Sequence, residues 1–85
     1  MKMEDKDLFL TKCLFEATYL YVSNQKLSGL KKENNYYVFC FEDRQGCINL
    51  MDHYWRNEAT CNPKTYADNF RSLKDRLFSL LKENR

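Results

Sequence analysis

The sequence of 85 residues predicts one α+β domain with the element order β-α-β-β-α-α, in which a two- to three-stranded antiparallel or mixed sheet packs against three helices. Three observations lead to this prediction. Residues 36–43 read Tyr-Tyr-Val-Phe-Cys-Phe-Glu-Asp, an aromatic-rich run typical of a strand. Residues 47–55 and residues 66–81 repeat apolar side chains at helical spacing. A chain of this length forms one core and leaves no room for a separate catalytic lobe.

The first two predicted elements are a short strand and an amphipathic helix. Leu8-Phe9-Leu10 is an apolar run, and Thr11 follows it as a candidate for a helix N-cap. The apolar residues at helical spacing that come next are Cys13, Leu14, Ala17, Leu20 and Tyr21. We expect this helix to end near Asn24, because asparagine tolerates the left-handed conformation that often ends helices.

A β-hairpin is predicted next, formed by residues 26–31 and the aromatic strand, with turn residues at 33–35. Gly29 indicates either a bulge or a place where a helix or an aromatic ring approaches the backbone closely. Both alternating faces of the aromatic strand are apolar. The strand is therefore either a covered central strand or one that presents a docking face, and the sequence leaves both alternatives open.

Two further helices complete the predicted fold. Asp43 is a candidate N-cap for a second helix that runs to about Glu58, and Trp55 lies on its apolar stripe, which favours a core position. Asn62-Pro63 then supplies the N-cap and first residue of a third helix, where the missing N–H of proline has no consequence. The helical period continues almost to the end of the chain, so this helix is the longest predicted element.

Composition narrows the classes of function. Fourteen basic and twelve acidic residues give a net charge of +2, too small to indicate a nucleic-acid binder or an acidic mimic of DNA. No apolar run approaches the ~18 residues of a membrane span, and the mixed charges of residues 1–7 argue against a signal peptide. We therefore expect a cytoplasmic protein without a membrane partner, whose four cysteines are free thiols rather than disulfides.

The sequence predicts neither a catalytic site nor a metal or cofactor site. Cys40, Cys47, His53 and Cys61 are farther apart along the chain than the closely spaced ligand pairs of structural zinc sites. His53 is also the one conventional base, and it falls on the polar side of its helix, where we expect it to be exposed. With only two glycines, the chain cannot form a glycine-rich phosphate loop.

Two sets of residues are candidates for binding. The predicted protein-binding residues, of types enriched at interfaces, are Tyr21, Tyr37, Tyr54 and Arg56. The alternative is a nucleic-acid site in the hairpin, whose tyrosine would stack on unpaired bases; its residues are Lys26, Lys31, Lys32 and Tyr36. Lysines on an edge strand also discourage aggregation between sheets. A homodimer formed through the aromatic strand or the third helix is a further alternative.

A family resemblance from Thr11 onward is carried by these residues: Leu14, Ala17, Leu20, 26–30, 38–43, Tyr54-Trp55, Asn57, Tyr66 and 71–74. In these positions, the chain resembles a family of short phage and bacterial proteins catalogued as a domain of unknown function. The resemblance implies an origin in a phage, prophage or other mobile element, whose small proteins often bind host machinery in the bacterial cytoplasm. We therefore expect a non-enzymatic protein that blocks or bridges a larger protein or nucleoprotein complex, for example an anti-CRISPR inhibitor.

Overall fold

The computed structural model describes residues 7–83, and within this range the elements follow the predicted order. The strands are β1 (Phe9–Thr11), β2 (Leu27–Glu33) and β3 (Tyr36–Phe41), and the helices are α1 (Leu14–Val22), α2 (Arg44–Trp55) and α3 (Pro63–Glu83). The predicted α+β class is confirmed. Residues 1–6 of the charged N-terminal segment, which we expect not to be a signal peptide, lie outside the described residues. In residues 7–83, no helix combines the length and the apolar composition needed to cross a membrane.

Within residues 7–83, the sheet has three strands in the order β1-β3-β2, and β3 is antiparallel to both of its neighbours. Strands β1 and β2 therefore run in the same direction, and α1 carries the chain from one edge of the sheet to the other. A bulge interrupts the register between Leu27 and Gly29, as one of the two predictions for Gly29 stated. The bulge is thus the alternative that holds, and a Cβ atom built on Gly29 would meet nothing within 4 Å.

The two faces of β3 have different surroundings. Phe39 and Phe41 are fully buried in a core that includes Leu20 of α1, Cys47 of α2 and Leu73 of α3. On the other face, a separate small cluster contains Leu8, Val38 and Cys40. The aromatic strand is thus central, and the helices cover one of its faces. We call the face with the small cluster the open face, because in residues 7–83 no helix contributes to that cluster; Val38 and Cys40 at its centre are nevertheless only 8% and 6% exposed.

Two predictions about individual aromatic residues are wrong. Tyr37 does not reach the surface, because it alternates onto the helix-covered face with Phe39 and Phe41 and is only 9% exposed. Trp55 is not a core residue, since 69% of its surface is exposed. It lies seven residues after Ile48 on the same side of α2, and Ile48 is also exposed. The helix buries Cys47 and Met51 instead, so its apolar stripe is wider than the surface available to cover it.

The first helix begins later than predicted. Its N-cap is Cys13 rather than Thr11, and Thr11 is the last residue of β1. The Thr11 hydroxyl still accepts a backbone N–H, but from Cys13, at 3.1 Å, and it donates to the Glu16 carboxylate at 2.8 Å. Thr11 therefore links the end of the strand to the first turn of the helix.

Asparagines in the left-handed conformation end both shorter helices. Asn24 has a φ of 70° just after α1, as predicted, and Asn57 has a φ of 61° just after α2. In each case, the following backbone N–H reaches back to a carbonyl in the last turn: Gln25 donates to Leu20 at 3.1 Å, and Glu58 donates to His53 at 2.9 Å. These bonds satisfy carbonyl groups that a helix end leaves without partners. The second helix consequently ends at Trp55, before the predicted end at Glu58.

The other two helices begin at the predicted caps. An Asp43 carboxylate oxygen accepts the N–H of Gly46 at 3.2 Å. The Asn62 side-chain oxygen accepts the N–H groups of Lys64 and Thr65 at 2.9 and 3.0 Å, with Pro63 as the first helical residue. Polar side chains at both positions satisfy N–H groups that the helix itself cannot pair.

The third helix is much longer than the helix on which it packs. With 21 residues, α3 is about 31 Å long at 1.5 Å per residue, whereas the nine residues of α1 span about 13 Å. Its main packing partner is α1, and its buried residue is Leu73, with Leu77 also against the core. Part of α3 therefore extends past α1, and there Phe78 and Leu81 are exposed.

Candidate protein-interaction surface

The structure does not bring the four predicted protein-binding residues onto one surface. Tyr37 is buried in the sheet, whereas Tyr21 is exposed on α1. Tyr54 is half-buried near the end of α2. Arg56 is exposed just beyond it, with its Nε atom 3.2 Å from the Asp52 carboxylate. A role in binding stays a prediction for Tyr21, Tyr54 and Arg56, but it would require Tyr37 to leave the core.

Two pairs of aromatic rings lie on the helical layer, one at the end of α2 and one between α1 and α3. The rings of Tyr54 and Trp55 meet edge to face, with centroids 5.5 Å apart and an interplanar angle of 86°. The rings of Phe15 and Phe70 stack at 5.1 Å and 27°, joining α1 to α3. The hydroxyl of Tyr66 donates a hydrogen bond of 3.0 Å to the backbone carbonyl of Phe15. Both ring arrangements are among those that aromatic pairs prefer.

Electrostatics connects Tyr66 to the pair at the end of α2. Burial raises the pKa of Tyr66 to about 12, and the nearby Tyr54, Cys61 and Cys13 raise it in the same direction. Burial also raises the pKa of Tyr54, helped by Cys13 and Glu16. Both phenols are therefore neutral at physiological pH and keep their hydroxyl protons for donation. We use one name, the aromatic row, for the two ring pairs and Tyr66 together, that is, for Phe15, Tyr54, Trp55, Tyr66 and Phe70.

The aromatic row combines exposed rings with half-buried supports. Trp55 is 69% exposed and Phe15 is 56% exposed. The ring partners beneath them, Tyr54 and Phe70, are half-buried, and Tyr54 also packs 5.6 Å from the ring of the buried Tyr19. Tyr54 packs against the core and supports Trp55, and Phe15 is held by its stacking on Phe70 and by the hydrogen bond from Tyr66. Rings fixed in this way lose little conformational entropy when a partner covers them.

A shallow groove of about 380 Å³ runs beside the Phe15 end of the row. The residues that line it are Phe15, Tyr66, Ala67, Phe70, Arg71 and Lys74. Its floor is aromatic, and two cationic side chains of α3 stand at its rim. Arg71 lies 4.0 Å from the carboxylate of Asp68, an exposed pair whose mutual attraction water largely screens. The groove suits an apolar side chain flanked by acidic groups.

Most of the aromatic row is not predicted from the sequence. Tyr54 is a predicted binding residue, whereas Trp55 is predicted to be a core residue, and Phe15, Tyr66 and Phe70 are not among the predicted binding residues. One signal was available for Phe15, since this large aromatic residue lies outside the apolar stripe that buries α1. No local signal pairs it with Phe70, because that contact depends on how α3 packs across α1.

The predicted nucleic-acid residues are divided between the two faces of the sheet. The register of β2 against β3 places Lys31 on the open face and Lys32 on the helix-covered face. Lys26 precedes the bulge, and its Nζ atom is 3.9 Å from the Glu42 carboxylate. All three side chains are exposed, but they do not form one basic surface.

One further cation lies beside Tyr36, a residue that is 42% exposed. The Nζ atom of Lys12 is 5.0 Å from the centroid of this ring, a cation–π contact that the sequence analysis did not predict. Together with Lys31, these residues place two cations and an accessible ring on the open-face side of the sheet. We call Lys12, Lys31 and Tyr36 the open-face site.

The described residues do not gather ligands for a metal ion. Among residues 7–83, no three His, Cys, Asp or Glu side chains are grouped in a way that could hold one. His53 is exposed, as predicted, and its Nδ1 atom is 3.3 Å from the Glu58 carboxylate. Cys40 lies on the open face, Cys47 is buried beneath α2 and Cys61 is exposed.

Comparison with known proteins agrees with the family resemblance. Residues 6–79 match the model of a family described as a domain of unknown function, DUF5659. The match includes all three strands, α1, α2 and most of α3, and therefore the whole aromatic row. No curated protein and no solved structure shows significant similarity to the chain. Because the family model spans most of the sequence, the protein belongs to the domain-of-unknown-function family DUF5659.

Proposed function

We propose that this protein is a non-enzymatic binding protein, which uses the aromatic row to dock on a larger protein or nucleoprotein complex and to block or bridge it. The observation that supports this function is the exposure of Trp55 and Phe15 above half-buried ring partners. Covering one large apolar side chain contributes about 1.5–3 kcal/mol, so these two rings supply substantial binding free energy to a complementary partner.

The composition of the surface also favours protein recognition. Tryptophan, tyrosine and arginine are the residue types most enriched among those that dominate binding free energy. Arg71 and Lys74 stand at the rim of the groove, where charged groups mainly increase association rates and select complementary partners. We therefore propose a partner surface with apolar side chains at its centre and acidic groups around them.

We propose that the setting is the cytoplasm of a bacterial host and that the gene comes from a phage, prophage or other mobile element. Support comes from the resemblance to short phage and bacterial proteins described above. The partner would then belong to host or phage machinery. A CRISPR effector is a concrete example, in which the protein would act in counter-defence.

Affinity capture with matched variants tests the proposal. The tagged wild-type protein, Trp55→Ser, Phe15→Ser and the control Ile48→Ser are incubated with host lysate, and bound proteins are identified by mass spectrometry. Ile48 is exposed on the same helix as Trp55 but lies outside the row. We expect a partner that the wild type and Ile48→Ser retain and that the two row variants lose. Circular dichroism establishes that each variant is folded.

Two outcomes contradict the proposal. One is that no protein exceeds background in any sample. The other is that the row variants retain the same partner as Ile48→Ser with unchanged affinity, which would place the binding surface elsewhere.

We also propose an alternative, nucleic-acid binding through the open-face site. The placement of Lys12 over the ring of Tyr36, with Lys31 on the same face, supports it. Binding to single- and double-stranded oligonucleotides would then weaken steeply with salt, because each neutralised phosphate releases counterions. Lys31→Glu should weaken binding more than Lys32→Glu, a control from the same strand but the opposite face. Absence of binding at low salt, or equal effects of the two variants, would reject this alternative.

A further inference from the structure

The outward side of α3 carries a depression of about 570 Å³ near its C-terminal end. The residues that line it are Asp75, Phe78, Ser79, Leu81 and Lys82. Residues 75, 78, 79 and 82 have the spacing i, i+3, i+4 and i+7. In paired helices, this set of four positions forms the hole that receives a side chain from the facing helix.

This side of α3 points away from its own core. At about 100° per residue, Asp75, Phe78 and Lys82 all lie more than about 100° around the helix from the buried Leu73. Phe78 is 52% exposed, and Leu81 is exposed beside it. Because α1, the main packing partner of α3, lies on the side of α3 that faces the core, a second helix has room to lie along the opposite side.

We infer that the helix occupying this depression is α3 of a second copy of the chain, packed antiparallel across a two-fold axis. An axis between Phe78 and Ser79 places each Phe78 opposite the small Ser79 of the other copy. The same axis places Asp75 opposite Lys82 of the other copy, and two-fold symmetry repeats this pair. The depression thus carries both a ring to insert and the charges that complement an identical helix.

The charges also select this alignment over a neighbouring one. Shifting the two helices by one turn, so that Asp75 faces Phe78, would place Arg71 opposite Lys82 of the other copy. That alignment exchanges two attractive contacts for two repulsive ones. Opposite charges between paired helices are a common means of fixing alignment and partner choice.

The pairing leaves the aromatic row accessible. Tyr66 and Phe70 lie in the N-terminal half of α3, two turns or more before Phe78. In the antiparallel alignment, these residues lie beyond the C-terminal end of the facing helix. The dimer would therefore present two aromatic rows and could hold two sites of a larger assembly at once, which raises the effective concentration of the second binding event.

Sedimentation equilibrium over a range of protein concentrations tests the inference. We expect the wild-type mass to rise from 10.3 kDa towards twice that value as concentration increases. Phe78→Ser should stay monomeric, and it should still fold because Phe78 is exposed. Asp75→Lys and Lys82→Asp should each raise the dissociation constant by about tenfold, since each change affects two contacts in the dimer. The double variant Asp75→Lys/Lys82→Asp should restore the wild-type value.

The control is Ile48→Ser, which removes an exposed apolar side chain from α2 and should leave the equilibrium unchanged. A wild-type protein that stays monomeric at all concentrations overturns the inference. So does a dimer that persists in Phe78→Ser. If the two charge variants weaken the dimer and the double variant does not recover, the proposed alignment is wrong.

Discussion

The hydroxyl of Tyr66 donates a hydrogen bond to the backbone carbonyl of Phe15, 51 residues earlier in the chain, at 3.0 Å. This bond ties the first turn of α3 to the first turn of α1. Next to it, the rings of Phe15 and Phe70 stack between the same two helices. One polar contact and one aromatic contact thus hold the groove end of the aromatic row in place.

Replacing Tyr66 with phenylalanine should lower the free energy of unfolding by about 1 kcal/mol at neutral pH. The substitution removes the hydrogen bond to Phe15 and leaves the ring in place. Urea unfolding followed by circular dichroism measures the change. Tyr21→Phe serves as the control, because Tyr21 is exposed on α1 and its variant should keep wild-type stability. Equal stability of Tyr66→Phe and the wild type would show that the bond contributes nothing.

The raised pKa of Tyr66 predicts that the protein becomes less stable at alkaline pH. Burial raises the pKa of Tyr66 from its ordinary value of 10.0 to about 12 in the folded protein. A raised pKa means that the folded state binds the Tyr66 proton more tightly than the unfolded state does. The resulting stabilisation of the folded state is complete below pH 10.0 and is lost as the pH rises to about 12. Urea unfolding at several alkaline pH values should therefore show a smaller decline for Tyr66→Phe than for the wild type. Identical declines would contradict the prediction.

The sole tryptophan provides a direct test of the exposed end of the row. Trp55 is 69% exposed, so its fluorescence in the folded protein should resemble that of tryptophan in water and be quenched readily by iodide. Because little of its surface is buried, Trp55→Ser should change the free energy of unfolding by less than about 1 kcal/mol, whereas core aromatics cost about 3–5 kcal/mol when truncated. Blue-shifted, iodide-resistant emission would place Trp55 in an interior or in an interface.

The cap of α2 predicts that Gly46→Ala changes the free energy of unfolding in opposite directions depending on whether Asp43 is present. A Cβ atom on Gly46 would overlap the carboxylate of Asp43, whose other oxygen accepts the Gly46 N–H. Gly46→Ala should therefore destabilise the protein by about 1 kcal/mol, as the loss of an N-cap does. In an Asp43→Ala background, the same substitution should stabilise it, because alanine favours helix over glycine by about 1 kcal/mol. Chemical unfolding of the wild type, the two single variants and the double variant measures these changes. If the effects of the two substitutions simply add, the prediction is wrong.

The cysteines should fall into kinetic classes when a thiol reagent is added. Cys61 is exposed and should react first, whereas Cys40 and Cys47 are buried and should react only when the protein unfolds. Burial also raises the pKa of the Cys47 thiol, which lowers its thiolate fraction further. A stopped-flow assay of the wild type should show a fast phase that Cys61→Ser lacks. Fast modification of two or more thiols in that variant would contradict the burial of Cys40 and Cys47.

Sequence reasoning recovered the fold because its strongest signals are local. The aromatic run at residues 36–41 became the central strand, and Asp43 and Asn62 became the caps of α2 and α3. Each of these features depends on neighbours within a few residues, which the sequence displays directly. The first helix start was misplaced because Thr11 has two competing roles, as the end of a strand and as a hydrogen-bond partner for the helix that follows.

The candidate site was predicted much less well, for a physical reason. Periodicity identifies which side chains share one side of a helix, but not how much surface is available to cover them. Trp55 belongs to the apolar stripe of α2 and yet lies beyond that surface. The burial of Tyr37 depends on which face of the sheet the helices cover, and the position of Phe15 depends on a contact between α1 and α3. Residues nearby in the sequence reveal neither relationship.

Strand β3 forms hydrogen bonds with both other strands, while β1 and β2 are not bonded to each other. During translation, the sheet therefore has no pairing to form until residues 36–41 leave the ribosome. Strand β1 is synthesised before α1 and β2, and it cannot pair until its partner β3 has been synthesised. A nascent chain that stops before Tyr36 would hold β1 and β2 without the strand that pairs with both, and unpaired strand edges of this kind make a chain prone to aggregate.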